Sequence, residues 1–145
     1  MRVTHVVFDI ESFGITQRSL KMLRDTLAEK LTHRIAVFQT STNDLCCGYF
    51  IFDWEWRDAT WTGGGFRVDR SGEGGAGYRT AEALFDFFGI RPVPWDVVNL
   101  DEIYSLPEED IEKCLLGLAQ KIAEDLAGED FIRPIDRKPP YLRYL

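Results

Sequence analysis

Long apolar runs are missing from this chain. No hydrophobic stretch approaches the roughly 20 residues that a membrane-spanning helix needs, so no membrane partner is expected. The opening residues, MRVTHVVFDIES, lack the apolar core of a secretory signal. Cysteine is scarce: Cys46, Cys47 and Cys114 are odd in number and two are adjacent, so no disulfide framework is implied. No histidine or further cysteine stands beside them at metal-finger spacing, and no cofactor is expected. A reduced, cytoplasmic setting fits these absences. Only two histidines occur, His5 and His33. Neither is completed by a serine or cysteine into a nucleophilic triad, and both read as structural. Internal repeats and low-complexity tracts are absent.

Basic charge is also short. Seventeen Lys and Arg face 24 Asp and Glu, for a net charge of −7. Residues 1–70 balance nine acids with nine bases, so the whole deficit lies in residues 71–145, which hold fifteen acids and eight bases. Residues 96–130 alone carry eleven acids against two lysines. Such a balance argues against broad contact with nucleic acid or an anionic membrane, both of which select Lys and Arg. It suits solubility or a basic or polar protein partner.

What is present is enough for one domain. A chain of 145 residues buries roughly two-thirds of its unfolded surface and folds without a disulfide or metal. Hydrophobic content of 45% is ordinary, while the aromatic content of 13% supplies bulky core or interface anchors.

The most unusual stretch is 62–89, TGGGFRVDRSGEGGAGYRTAEALFDFFG. Seven of the twelve glycines fall between Gly63 and Gly77, with Arg67, Arg70 and Arg79 threaded through them. Gly72, Gly74 and Gly77 match G-x-G-x-x-G. In dinucleotide-binding folds that spacing lets the backbone close on a pyrophosphate at a helix N-terminus. Here the strand before it is weak, and Asp101 stands 29 residues after Gly72, farther than the usual ribose-binding acid. The looser expectation is a small anionic, phosphate-bearing ligand held in the loop 63–79 by Arg67, Arg70, Gly72, Gly74, Gly75, Gly77 and Arg79. The competing reading is a tightly turned structural loop.

The pattern of elements predicts an α+β single domain. A mixed sheet of about four to six strands packs with three helices. Residues 3–10 read as a strand buried on both faces. Leu20, Leu23, Leu27 and Leu31 predict a helix over 17–31, with Thr16 as N-cap. Residues 35–38 form a second strand, invited by the β–α–β order to pair in parallel with the first. In the long strand 45–56, Phe50, Phe52, Trp54 and Trp56 share one face and Tyr49, Ile51, Asp53 and Glu55 the other. Residues 59–62 return as its hairpin partner, which would gather Trp54, Trp56 and Trp61 by cross-strand pairing. Ala81, Leu84, Phe85 and Phe88 mark a second helix starting near Gly77 or Tyr78 and stopped by Gly89. Residues 91–95 read as an extended linker and 97–100 as a short strand. Ser105 and Glu108 form a capping box for a third helix built on Ile111, Leu115, Leu118, Ile122 and Leu126. The domain runs 1–128. Residues 129–145, with Pro134, Pro139, Pro140, Tyr141 and Tyr144, form an extended tail packed on the domain or on a partner.

Two further groups carry chemical possibilities. Asp9 and Glu11, in VVFDIESFG, resemble the first motif of the DEDD-type 3′–5′ exonucleases over about nine residues. The resemblance implies a pair of carboxylates holding divalent metals for phosphodiester hydrolysis. The later acidic motifs of that family are not recognisable here, where Tyr78 and Glu82 are a distant echo of its closing Tyr-x-x-x-Asp. Trp54, Trp56 and Trp61, with Tyr141 and Tyr144, are candidates for a partner surface, against the simpler reading of core packing. An electropositive groove for single-stranded nucleic acid is lacking. The sequence therefore leads to the expectation of a small acidic binding protein with no catalytic constellation. By composition alone it is like the inhibitors and immunity-type proteins of mobile elements. Its alternatives are a small enzyme or sensor binding a phosphate-bearing ligand at the glycine loop, and a metal-dependent nuclease at Asp9 and Glu11.

Overall fold

A computed structural model describes residues 1–43, 45–95, 100–133 and 137. The elements in order are β1 (His5–Val7), α1 (Thr16–Glu29), β2 (Ile35–Ser41), β3 (Cys46–Asp53), β4 (Asp58–Trp61), β5 (Phe66–Arg67), α2 (Gly72–Phe88), β6 (Val93–Trp95), α3 (Asp101–Tyr104) and α4 (Glu108–Glu124). A 3-10 turn, Ile10–Ser12, joins β1 to α1, and another, Gly128–Asp130, follows α4. The sheet is mixed, in the order β1-β4-β3-β2-β6. An α+β domain is the result.

The apolar alternation in β2 and β3 sets this architecture. Ile35, Val37, Cys47, Tyr49 and Ile51 face one side, where they meet Leu23 and Leu27 of α1 and Ala81, Phe85 and Phe88 of α2. Ala36, Phe38, Phe50 and Phe52 face the other, where they meet Trp61 and Ile111, Leu115, Ala119, Ile122 and Ala123 of α4. Both faces of the sheet are thus covered, and two cores lie back to back. β3 is central: β2 pairs antiparallel along its whole length, from Ile35 opposite Asp53 to Ser41 opposite Cys47. On its other edge β4 pairs at Phe50–Phe52 and β5 at Cys46 and Cys47. β5 therefore continues the line of β4, with residues 62–65 looped out between them.

Several expectations change at the element ends. β1 is three residues, not eight. It lies at the sheet edge with Val7 exposed, and the apolar run gives way to the 3-10 turn as soon as its single partner ends. That partner is β4, in parallel, rather than β2. α1 ends at Glu29, so Leu31 lies past the helix and is exposed. Ile15 takes the N-cap position, because the Thr16 hydroxyl donates instead to Gly65 O at 2.6 Å. β3 stops at Asp53, so the turn starts at Trp54 and Trp61 pairs with Phe50. Residues 93–95, read as linker, form β6, parallel to β2. Of the strand expected over 97–100, residues 97–99 lie outside the described residues, and Leu100 is buried at the start of α3.

Two helix starts also differ. The hydroxyl of Ser105 bonds to Glu102 O and closes α3, so no capping box forms; Pro107 holds the N-cap of α4. Leu118 is half-buried at the margin of the α4 core face, and Ala119 and Ala123 take the positions nearest the sheet. α2 starts at Gly72, five residues before the predicted position, and absorbs the whole G-x-G-x-x-G segment. Glycine costs helix stability, and the reason it stands here is steric. A Cβ on Gly77 would collide with Thr16 Cγ2 of α1, so the α2 backbone packs directly on the Thr16 side chain. Gly89, at φ 69°, closes α2 in the left-handed conformation as expected. No helix among the described residues is long and apolar enough to cross a membrane.

Candidate functional site

The glycine segment builds one wall of a cleft. Beyond β4, residues 63–65 pass between the Ile10–Ser12 turn, the first turn of α1 and the end of β2. The cleft opens beside them with a volume of about 290 Å3. Gly64, Gly65, Arg67 and Gly74 come from the glycine segment, Thr42 and Asn43 from the β2–β3 connection and Cys46 from the start of β3. Phe13 and Tyr104 close the far side, their rings stacked at 4.1 Å. Gly64 is buried, and a Cβ there would stand 2.6 Å from Thr42 Cγ2 and 2.9 Å from Thr42 Oγ1. Only glycine leaves the Thr42 side chain its space.

Of the residues expected to bind an anion, Arg67 and Gly74 line this cleft. The others do not converge on it. Arg67 forks onto Asp69, with Nε to Oδ1 at 3.1 Å and Nη2 to Oδ2 at 2.7 Å. These bonds, with those from Ser71, hold the Asp69 carboxyl well below the usual carboxylate range. Arg70, at φ 64°, reaches along α2, pairs with Glu82 at 3.1 Å and leans on the Tyr78 ring. Arg79 lies in the second turn of α2 and donates to Arg70 O at 3.0 Å. Gly72 opens α2, Gly75 sits under the backbone of Arg70, and Gly77 faces α1. Phe13, Thr42, Cys46 and Tyr104 had no signal in sequence, since residues more than 90 positions apart meet only in the folded chain.

A second cluster lies at the opposite end of α1. Lys30, just past the helix, puts Nζ 2.7 Å from Asp53 Oδ2 and 3.1 Å from Asp58 Oδ1. All three are buried. His33 Nδ1 donates to Asp53 Oδ2 at 2.6 Å, and Asp53 Oδ1 accepts from the amides of Glu55 and Trp56. Burial pushes the Asp53 carboxyl up, but the hydrogen bonds from Lys30, His33 and Trp56 outweigh it and hold the group below its ordinary value. Trp56 lies over the Lys30 ammonium at 4.7 Å and edge-on to His33. Arg137 donates to the carbonyls of Lys30, Leu31 and His33. His33, Asp53 and Glu55 bring donor atoms within 4.8 Å of one another, as a metal site would. The Lys30 ammonium already stands against the same Asp53 oxygen, so a divalent cation there would meet a buried positive charge. The set fits an internal ion cluster better than a metal.

The remaining candidates are dispersed. Asp9 is exposed and accepts from the Glu11 amide, capping the 3-10 turn, while Glu11 pairs with Arg18 at 2.6 Å. Among the described residues no third carboxylate joins them in a metal-ligating group. The three candidate tryptophans go to three places. Trp61 is fully buried against Phe50, Trp54 packs on Phe131 under Arg34 and Arg57, and Trp56 is 50% exposed. Tyr141 and Tyr144 lie outside the described residues. Burial lifts the Cys47 thiol to about 12, so it stays protonated and inert. His5 makes a 3.6 Å contact with Asp58, and Cys114 is half-buried on α4. No protein-family model, no curated protein and no solved structure matches the chain.

Proposed function

We propose that this chain is a non-enzymatic binding protein that engages a basic surface of a macromolecular partner, in the manner of small acidic inhibitors and immunity-type proteins, in a cytoplasmic setting. One observation carries this reading. The outer face of α4 and its C-cap expose Glu108, Glu109, Asp110, Glu112, Glu124 and Asp125 against only Lys113 and Lys121. The inner face of the same helix is fixed to the sheet by Ile111, Leu115 and Ile122. A rigid helix offering acid on one side is preorganised for charge complementarity, which acts chiefly on association rate and partner choice. The buried Lys30 cluster, by contrast, is consumed in holding the fold.

Native followed by denaturing mass spectrometry of the protein purified from its own cells tests this. A second protein released only on denaturation is expected. A chain that carries no protein partner under native conditions at low salt would sink the proposal.

A further inference from the structure

Several hydrogen-bond donors border the cleft with no acceptor among the described residues. Gly64 and Gly65 are buried residues that line the cleft, and neither amide donates to a described residue. Thr42 is only 1% exposed, lines the cleft, and its hydroxyl makes no hydrogen bond among the described residues. Thr16 and Gly74 stand in the first turns of α1 and α2, where amides have no intrahelical acceptor. Neither helix has a side-chain cap, since Ile15 cannot supply one and Ser71 does not. Two helix N-termini, the amides of two buried glycines and the hydroxyl of Thr42 therefore border one cavity. Among the described residues, Asp69 is paired with Arg67 and Glu73 accepts from Gln17.

We propose that this cleft binds the oxyanion of a small phosphorylated metabolite. A group rich in acceptors satisfies such a set, and a phosphate at a helix N-terminus gains from both the free amides and the dipole. At about 290 Å3 the volume sits near the lower bound of small-molecule sites, roughly 300 Å3. That leaves room for a sugar or a similar body beyond the phosphate. The stacked rings of Phe13 and Tyr104 give that body an apolar wall. Gly64 keeps the space beside Thr42 open. This site is independent of the α4 surface, and either can exist without the other.

Amide NMR of the full chain, titrated at constant ionic strength with inorganic phosphate, ribose 5-phosphate, AMP and adenosine, tests the proposal. Shifts centred on Gly64, Gly65, Gly74 and Thr42 are expected with the phosphate-bearing probes and not with adenosine. Tighter binding of ribose 5-phosphate or AMP than of inorganic phosphate identifies an organic ester. Equal binding identifies the free anion as sufficient. Thr42→Val, which keeps the shape and removes the hydroxyl, should weaken binding about tenfold, the usual scale for a lost hydrogen bond to a charged group. Gly64→Ala should abolish it, and Thr42→Val stands alone if that variant does not fold. The proposal is overturned if no phosphate-bearing probe shifts these amides, if adenosine shifts them equally, or if Thr42→Val binds as the wild type does.

Discussion

Lys30 shows how a single side chain can fix two turns at once. Its ammonium ties the end of α1 to both sides of the β3–β4 hairpin through Asp53 and Asp58. Removing one member of such a cluster leaves charge buried without compensation, which costs about 3–5 kcal/mol. Lys30→Met should lose stability on that scale in urea unfolding. Adding Asp53→Asn and Asp58→Asn to it should recover part of the loss, because no unpaired charge is then left inside. A pH dependence follows from Asp53. Its folded pKa is depressed, so the unfolded chain binds the proton more tightly. The stabilisation is full above the unfolded value, about 3.9, and fades as pH falls through the lower folded value. Unfolding free energy measured from neutral pH down to about pH 2 should therefore drop on the acid side, and Asp53→Asn should flatten part of that limb. An unchanged limb would mean that other carboxylates carry the acid sensitivity.

Elements packed by side chains were legible in the sequence, and elements packed by backbone were not. The face of α4 follows from Ile111, Leu115 and Ile122 at helical spacing. Its finer choice between Leu115 and Leu118 depends on Ala119 and Ala123, whose small size lets the helix settle on the sheet. Leu115→Ala should cost about 2–5 kcal/mol, as buried leucines do, and half-buried Leu118→Ala clearly less. Equal losses in thermal or urea unfolding would show that the face is turned. The glycine segment misled in the opposite direction. Gly72 to Gly77 read as a loop because glycine disfavours helix, whereas Gly77 buys contact between α2 and α1. Gly77→Ala should raise helix propensity by roughly 1 kcal/mol yet destabilise the protein by overpacking, typically by about 1–3 kcal/mol. A net gain in stability would show that the crossing tolerates a methyl group. The cleft was half visible. Arg67 and Gly74 were named from the local pattern, but Thr42, Phe13 and Tyr104 enter through long-range topology. The three arginines of the segment take different partners: Arg67 pairs with Asp69, Arg70 with Glu82, and Arg79 with the Arg70 carbonyl.

Over the whole molecule charge is segregated. Lys30 and Arg137 are buried, the first 70 residues are neutral, and the acidic excess of residues 71–145 includes the exposed outer face of α4. Partner association should then slow as salt rises, since exposed charges are screened beyond about 8 Å at physiological ionic strength. An on-rate flat from low to high salt would reduce the acidic face to an aid to solubility. Recognition of a basic partner by α4 is decided by comparing two baits in the same cell lysate. One is the wild-type chain; the other carries Glu109→Lys, Glu112→Lys and Glu124→Lys, all exposed and outside the core. A defined protein is expected on the first bait and lost from the second, with both baits equally folded by circular dichroism. The same protein recovered on both baits, or none recovered on either, would contradict it.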